Sequence, residues 1–294
     1  MKKSVFTGAG VAIVTPMKND KVDYDAMEKL IEFQIENLTD AIVVCGTTGE
    51  APTLEDDEHL DVIEFCVEKV NKRIPVIAGT GSNNTAHAIM MNKEAEKRGA
   101  DGLLWVSPYY NKATQKGLVE HYTSLAKSTS LPAILYNVPS RTGVNILPET
   151  VQKLADIENI VAVKEASGKV EQAVEIIKRC GDKIDVYSGN DDITVPIMSV
   201  GGKGVISVLS NVLPKETHLM CEYALKGDYK KAGEMQVKYY DLIKALFKEV
   251  NPIPVKAALN LMGIIGKDIR LPLSPMEGEN LQYLKAQMKI AGIL

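Results

Sequence analysis

The sequence predicts an α/β fold, a (β/α)8 TIM barrel with a C-terminal helical domain. Three observations lead there. Eight short apolar runs recur about 20 to 30 residues apart, the interval a strand, a helix and two loops occupy. The runs are continuous β-branched and aliphatic stretches without in/out alternation, as strands covered on both faces are. The segments between them carry helical spacing. A doubly wound open sheet would more often show a G-x-G-x-x-G turn behind its first strand, and none stands there.

The elements follow in order. Strands are expected at 9–15, 41–46, 75–79, 102–107, 132–138, 160–165, 185–189 and 204–209. After the first, "DYDAMEKLIEFQIEN" puts Met27, Leu30, Ile31 and Ile35 on one helical face. After the second, "TLEDDEHLDVIEFCVEKVNKR" opens with Thr53 and Asp56 at capping-box spacing and closes on Lys72 and Arg73. After the third, "TAHAIMMNKEAEKRGADG" ends its helix on Gly99, a C′ residue. Pro148 and Pro214 stand where later helices begin. "VGGKG" at Gly201 precedes strand eight and reads as a turn. From about Lys215 the chain is helical; residues 1–227 are assigned to the barrel and 228–294 to the added helical domain.

Composition narrows the classes of function. The chain has 294 residues, 45% hydrophobic and 24% charged, which suits a soluble protein with a large core. The net charge of −4 and the lack of a basic run argue against nucleic acid as a partner. The apolar stretch in "MKKSVFTGAGVAIVTP" is short and broken by glycine, so neither a signal peptide nor a membrane span is expected. Cys45, Cys66, Cys180 and Cys221 show no C-x-x-C spacing and read as reduced thiols of a cytoplasmic protein. The four histidines, His59, His87, His121 and His218, are scattered, so no metal is expected.

In this fold chemistry sits at the C-terminal ends of the strands and on the loops that follow. The polar oddities fall there: Thr47, Thr48 and Glu50 in "CGTTGE", Tyr109 and Tyr110 in "VSPYYN", Tyr136 and Arg141 in "LYNVPSRTG", Lys164 in "IVAVKEASG", and Gly189 and Asn190 in "YSGND". Each has a plain alternative. Tyr136 alone reads as a core tyrosine, Arg141 as a solvated cation, the glycines as turns, and Lys164 as the partner of a carboxylate. Glu165 points away from Lys164 and reads as structural. Taken together they suggest more. A lysine amine attacks a carbonyl only when neutral, and burial in an apolar barrel disfavours the ammonium. The resulting imine is an electron sink, and hydroxyls of tyrosine and threonine can pass its protons. A glycine-flanked loop opening a helix can hold a small carboxylate on backbone N–H groups.

The segments "GVAIVTP", "CGTTGE", "SPYYN", "YNVPSRTG", "VAVKEASG", "YSGNDD" and "NPIPVKAALN" resemble, in order and spacing over nearly the whole chain, the dihydrodipicolinate synthase family of pyruvate-dependent class I aldolases. The resemblance implies condensation of pyruvate with L-aspartate 4-semialdehyde through a Schiff base, in lysine and diaminopimelate biosynthesis, without a cofactor. By the same resemblance Lys164 would form the imine, and Tyr136, Thr47 and Tyr110 would make a proton relay. Thr48 and the backbone of Ile206 would hold pyruvate, with Gly189 and Asn190 near it, and Arg141 would take the semialdehyde carboxylate. Tyr110 would cross into the neighbouring subunit's site within a homotetramer of two tight dimers.

Lysine-inhibited members of that family bind the effector at the dimer interface. Asn83, Tyr109 and His59 match their pattern. The glutamate position is His87, and an alanine position is Pro52. An imidazole cannot replace a carboxylate facing an ammonium, so insensitivity to L-lysine is expected. The rival readings are an aldolase for sugar acids, against which Arg141 and Tyr110 speak, and an idle binding barrel, against which the Lys164, Tyr136 and Thr47 set speaks.

Overall fold

The computed structural model describes residues 2–294. Eight parallel strands close into a barrel: Gly8–Ala12, Ala41–Val44, Val76–Gly79, Gly102–Val106, Ala133–Asn137, Ile160–Glu165, Asp185–Ser188 and Gly204–Ser207. Each lies within one residue of an expected run, or inside it. The seam joins the first strand to the eighth through Gly8 and Gly204. Both have positive φ, and a Cβ on Gly204 would collide with the Gly8 backbone, so only glycine permits this approach.

The helices follow the apolar spacing with local differences. In Tyr24–Glu36, Met27, Leu30 and Ile31 are buried. Ile35 is only half-buried, and Gln34 goes inside instead, donating to the Ser210 and Asn211 carbonyls. The expected capping box is not formed. Thr53 lies in a 3-10 turn, Ala51–Thr53, and its hydroxyl donates to the Glu50 carbonyl. Helix Asp56–Val70 therefore starts after Glu55, without a side-chain cap. It also ends earlier than expected, at Asn71 in the left-handed region, which leaves Lys72 and Arg73 free to pair with Asp101 and Glu32. Helix Thr85–Lys97 is capped by the Asn84 side chain and is followed by Gly99 at φ 83°, as expected. Pro148 and Pro214 open helices Pro148–Leu154 and Pro214–Leu225. A small hairpin, Met17–Lys18 with Lys21–Val22, has too few residues to show a pattern in the sequence.

Two apolar layers result. The lumen holds Ala12, Val43, Ile77, Leu104, Ile134, Tyr136, Ala162, Tyr187 and Ile206. A larger core fills the space between strands and outer helices. Beyond residue 228 come helices Tyr229–Lys238, Tyr240–Leu246, Ile253–Leu261 and Gly278–Ala291. Among the described residues no helix is long and apolar enough to cross a membrane.

Candidate active site

Strand register decides which side chains meet. Strands five and six run in parallel, but their pairing skips a residue: Ala133 faces Ile160, whereas Ile134 faces Ala162. Val161 is the extra residue. Beyond that bulge Tyr136 stands opposite Lys164 and Asn137 opposite Glu165. Cross-strand partners share a face. Tyr136 belongs to the lumen cluster, and Lys164 lies beside it, its ammonium 4.3 Å from the ring centroid. Lys164 is buried in the barrel mouth. Glu165 faces outward and is structural, as expected: it accepts from Asn137 Nδ2 at 2.9 Å, Gln172 Nε2 at 2.8 Å and the Ser167 N–H at 2.7 Å.

A cavity of about 410 Å3 opens at this end of the barrel. Thr47, Tyr136 and Arg141 line it, and so do Pro52, His59, His87 and Tyr109. Members of both groups picked out in the sequence thus line one bowl, whereas Lys164, Thr48, Gly189, Asn190 and Ile206 are not among its lining residues. A larger cavity, about 1080 Å3, lies at the opposite end between Lys2, Lys72, Arg73 and Asn159, where residues of this fold serve stability.

The remaining residues fall as follows. Thr48 is buried, and its Oγ1 accepts from Asn251 Nδ2 at 3.0 Å. Arg141 sits on the single turn Pro139–Thr142, and its Nη2 donates to the Asn251 carbonyl at 3.1 Å. Asn251 therefore ties together two groups expected to hold carboxylates. It lies in a motif that carries the resemblance, yet its sequence position alone gives no sign of this contact. Gly189 packs on the nucleophile candidate: a Cβ there would come within 3.1 Å of Lys164 Cγ. Asn190 Oδ1 is buried without a partner among the described residues. Ile206 is buried on strand eight, beside Gly10 of strand one. Next to it in space, buried Asp191 accepts from Ser207 Oγ and from the N–H groups of Val208 and Leu209. Burial raises the Asp191 carboxyl above its ordinary range, and these bonds oppose the rise.

Tyr110 does not join this bowl. It is 90% exposed at φ 68°, pointing away from its own chain. Asn83 also stands outside the cavity lining and donates to the Tyr109 carbonyl at 3.1 Å. His59 Nε2 lies 2.8 Å from the Gly79 carbonyl, and burial lowers the imidazole's basicity. His87 Nε2 lies 2.8 Å from Asp56 Oδ1. That carboxylate, brought to the cavity wall by the first turn of its helix, was not foreseen from the sequence. Among the described residues no group of three or more His, Cys, Asp or Glu could hold a metal ion.

Comparison with known proteins agrees with this geometry. The dihydrodipicolinate synthetase family model matches residues 5–291. The 4-hydroxy-tetrahydrodipicolinate synthase of Caldicellulosiruptor bescii is 56% identical, over 99% of this chain and 98% of its own. The crystal structure of dihydrodipicolinate synthase from Aquifex aeolicus is 49% identical with a TM-score of 0.97, covering 98% of this chain and 99% of that one. The chloride-inhibited dihydrodipicolinate synthase from Acinetobacter baumannii, complexed with pyruvate, is 47% identical with a TM-score of 0.96, again over 98% and 99% of the two chains.

Proposed function

The chain belongs to the dihydrodipicolinate synthetase family, and on that premise we propose how its residues carry out a pyruvate condensation. The protein is a lyase of the class I aldolase type. It joins pyruvate to L-aspartate 4-semialdehyde and yields 4-hydroxy-tetrahydrodipicolinate. The observation that carries the assignment of the site is the cross-strand pair of Tyr136 and Lys164 inside the barrel mouth.

The Lys164 amine attacks the ketone carbon of pyruvate, and water leaves as the imine forms. Loss of a methyl proton gives the enamine, whose carbon attacks the semialdehyde's aldehyde. The substrate's own amine then displaces Lys164 and closes the ring. Each step moves a proton, and Tyr136 and Thr47, both on the cavity wall, are the hydroxyls at hand. Thr48 and the Ile206 backbone hold the pyruvate end, with Gly189 and Asn190 beside it. Tyr110 completes the relay from a second subunit. Its exposure in the single chain supports that role, and a homotetramer of tight dimers is the assembly we assign. Residues 1–227 carry the reacting groups, and 228–294 form the helical domain that covers them. Four free, buried thiols support a reducing, cytoplasmic setting.

Arg141 stands at the rim, where a guanidinium can take a carboxylate in a bidentate pair. Steady-state turnover of pyruvate with L-aspartate 4-semialdehyde tests the whole reading, and turnover of N-acetylneuraminate in its place would overturn it. In Arg141→Ala the semialdehyde step is expected to weaken about 10- to 100-fold, while imine formation with pyruvate stays within about twofold. Equal loss of both would make the arginine structural.

The wall of Pro52, His59, His87 and Tyr109 bears on regulation. The carboxylate there, Asp56, is already engaged by His87. An entering ammonium would have to displace that imidazole. Activity at pH 7 to 8 is therefore expected to stay flat up to millimolar L-lysine. Half-inhibition below about a millimolar, roughly −4 kcal/mol of binding, would instead show Asp56 acting as the effector's anion.

A further inference from the structure

Behind the Thr47–Thr48 loop lies an ion pair that the chemistry above leaves unused. Glu50 closes that loop in the left-handed region, at φ 57°. Its carboxylate meets the ammonium of Lys256 on helix Ile253–Leu261, and the two side chains are 1% and 3% exposed. The second Glu50 oxygen accepts from the Arg270 N–H at 3.1 Å. Lys256 also donates to the Thr15 carbonyl at 3.1 Å, and the Thr15 hydroxyl donates to the Gly49 carbonyl at 2.7 Å. The loop is thus pinned at Gly49 by Thr15, just past strand one, at Glu50 by C-terminal groups, and at Thr48 by Asn251.

A buried ion pair is a poor source of stability, because desolvating two charges offsets their attraction. What it supplies is a short, directional, charge-assisted bond. Here that bond acts two residues from Thr48. We propose that Glu50 and Lys256 are positioning residues for pyruvate: through them the C-terminal helical segment sets the orientation in which the Thr47–Thr48 backbone meets the substrate carboxylate. This rests on the reading of that loop as the pyruvate site.

The test uses Glu50→Gln, Lys256→Met and the double variant. Two quantities are followed: the thermal midpoint, and the pyruvate concentration giving half-maximal borohydride trapping on Lys164. Each single variant leaves one charge buried alone. It should lose thermal stability and need about five- to tenfold more pyruvate. The double variant should regain stability but keep the raised pyruvate requirement. If the double variant recovers both, the pair is merely structural and the proposal falls. It falls equally if folded variants trap pyruvate like the wild type. Should the single variants fail to fold, the double variant decides alone. If wild-type protein forms no pyruvate adduct on Lys164, the reading of the site fails, and the inference with it. Normal wild-type trapping with unchanged variants overturns the inference alone.

Discussion

Lys164→Ala should lower turnover by about a thousandfold or more, at least about 4 kcal/mol of barrier. The residue supplies the bond through which the reaction proceeds, and among the described residues Lys164 is the lysine placed over the Tyr136 ring. Lys256, the other buried lysine among the described residues, is committed to Glu50 and Thr15. Borohydride with pyruvate should add one reduced adduct to the wild-type chain. Peptide mass spectrometry should place it at Lys164. An adduct elsewhere, or none, would remove the central claim. Folding of the variant is a separate matter, because alanine in the barrel mouth deletes a long stem packed against Gly189. Lys164→Met keeps most of that stem and should lose activity as completely while folding normally.

The second large effect concerns the relay. Tyr136→Phe, Thr47→Val and Tyr110→Phe should each lower kcat by about 100- to 10,000-fold, the usual contribution of a positioned acid–base group. Apparent pyruvate binding should change much less. Tyr110 gives the sharpest version, since within its own chain it is 90% exposed and absent from the cavity wall. If it works in a neighbour's bowl, inactive Tyr110→Phe and inactive Lys164→Ala subunits, mixed and reassembled, should recover some activity. In a mixed dimer one bowl would hold an intact Lys164 together with an intact Tyr110 from the other chain. No recovery in a mixture shown to exchange subunits would place Tyr110 outside the relay, and so would wild-type kcat in Tyr110→Phe.

Much of the fold could be read directly from the sequence. Buried parallel strands need continuous apolar runs, and "AIVV", "VIAG" and the "AIL" that opens "AILYN" are such runs at the required spacing. Helix ends were less legible. The Thr53–Asp56 spacing matched a cap, but Pro52 and the left-handed Glu50 commit Thr53 to a turn before the helix starts. Local spacing records which hydrogen bonds are available, and packing chooses among them. Gln34 shows the same limit: its place inside depends on two carbonyls about 180 residues away.

The sequence by itself determined the residue types and the end of the barrel at which they gather, because both follow from short-range pattern and chain order. Lysine, tyrosines, hydroxyls and arginine each lie at the C-terminal end of a strand or on the loop behind it, and a closed parallel barrel puts all such positions at one end. Only the tertiary structure decided which of them touch. The bulge at Val161 sets Tyr136 against Lys164; with unbroken register Tyr136 would face Val163. The Asn251 bridge, the Glu50–Lys256 pair and the approach of Asp56 to His87 join positions 31 to 206 residues apart. No local pattern encodes such contacts. They arise when a closed barrel and the helix packed against its loops exclude water, so that most buried polar groups are satisfied by partners brought within reach from distant parts of the chain.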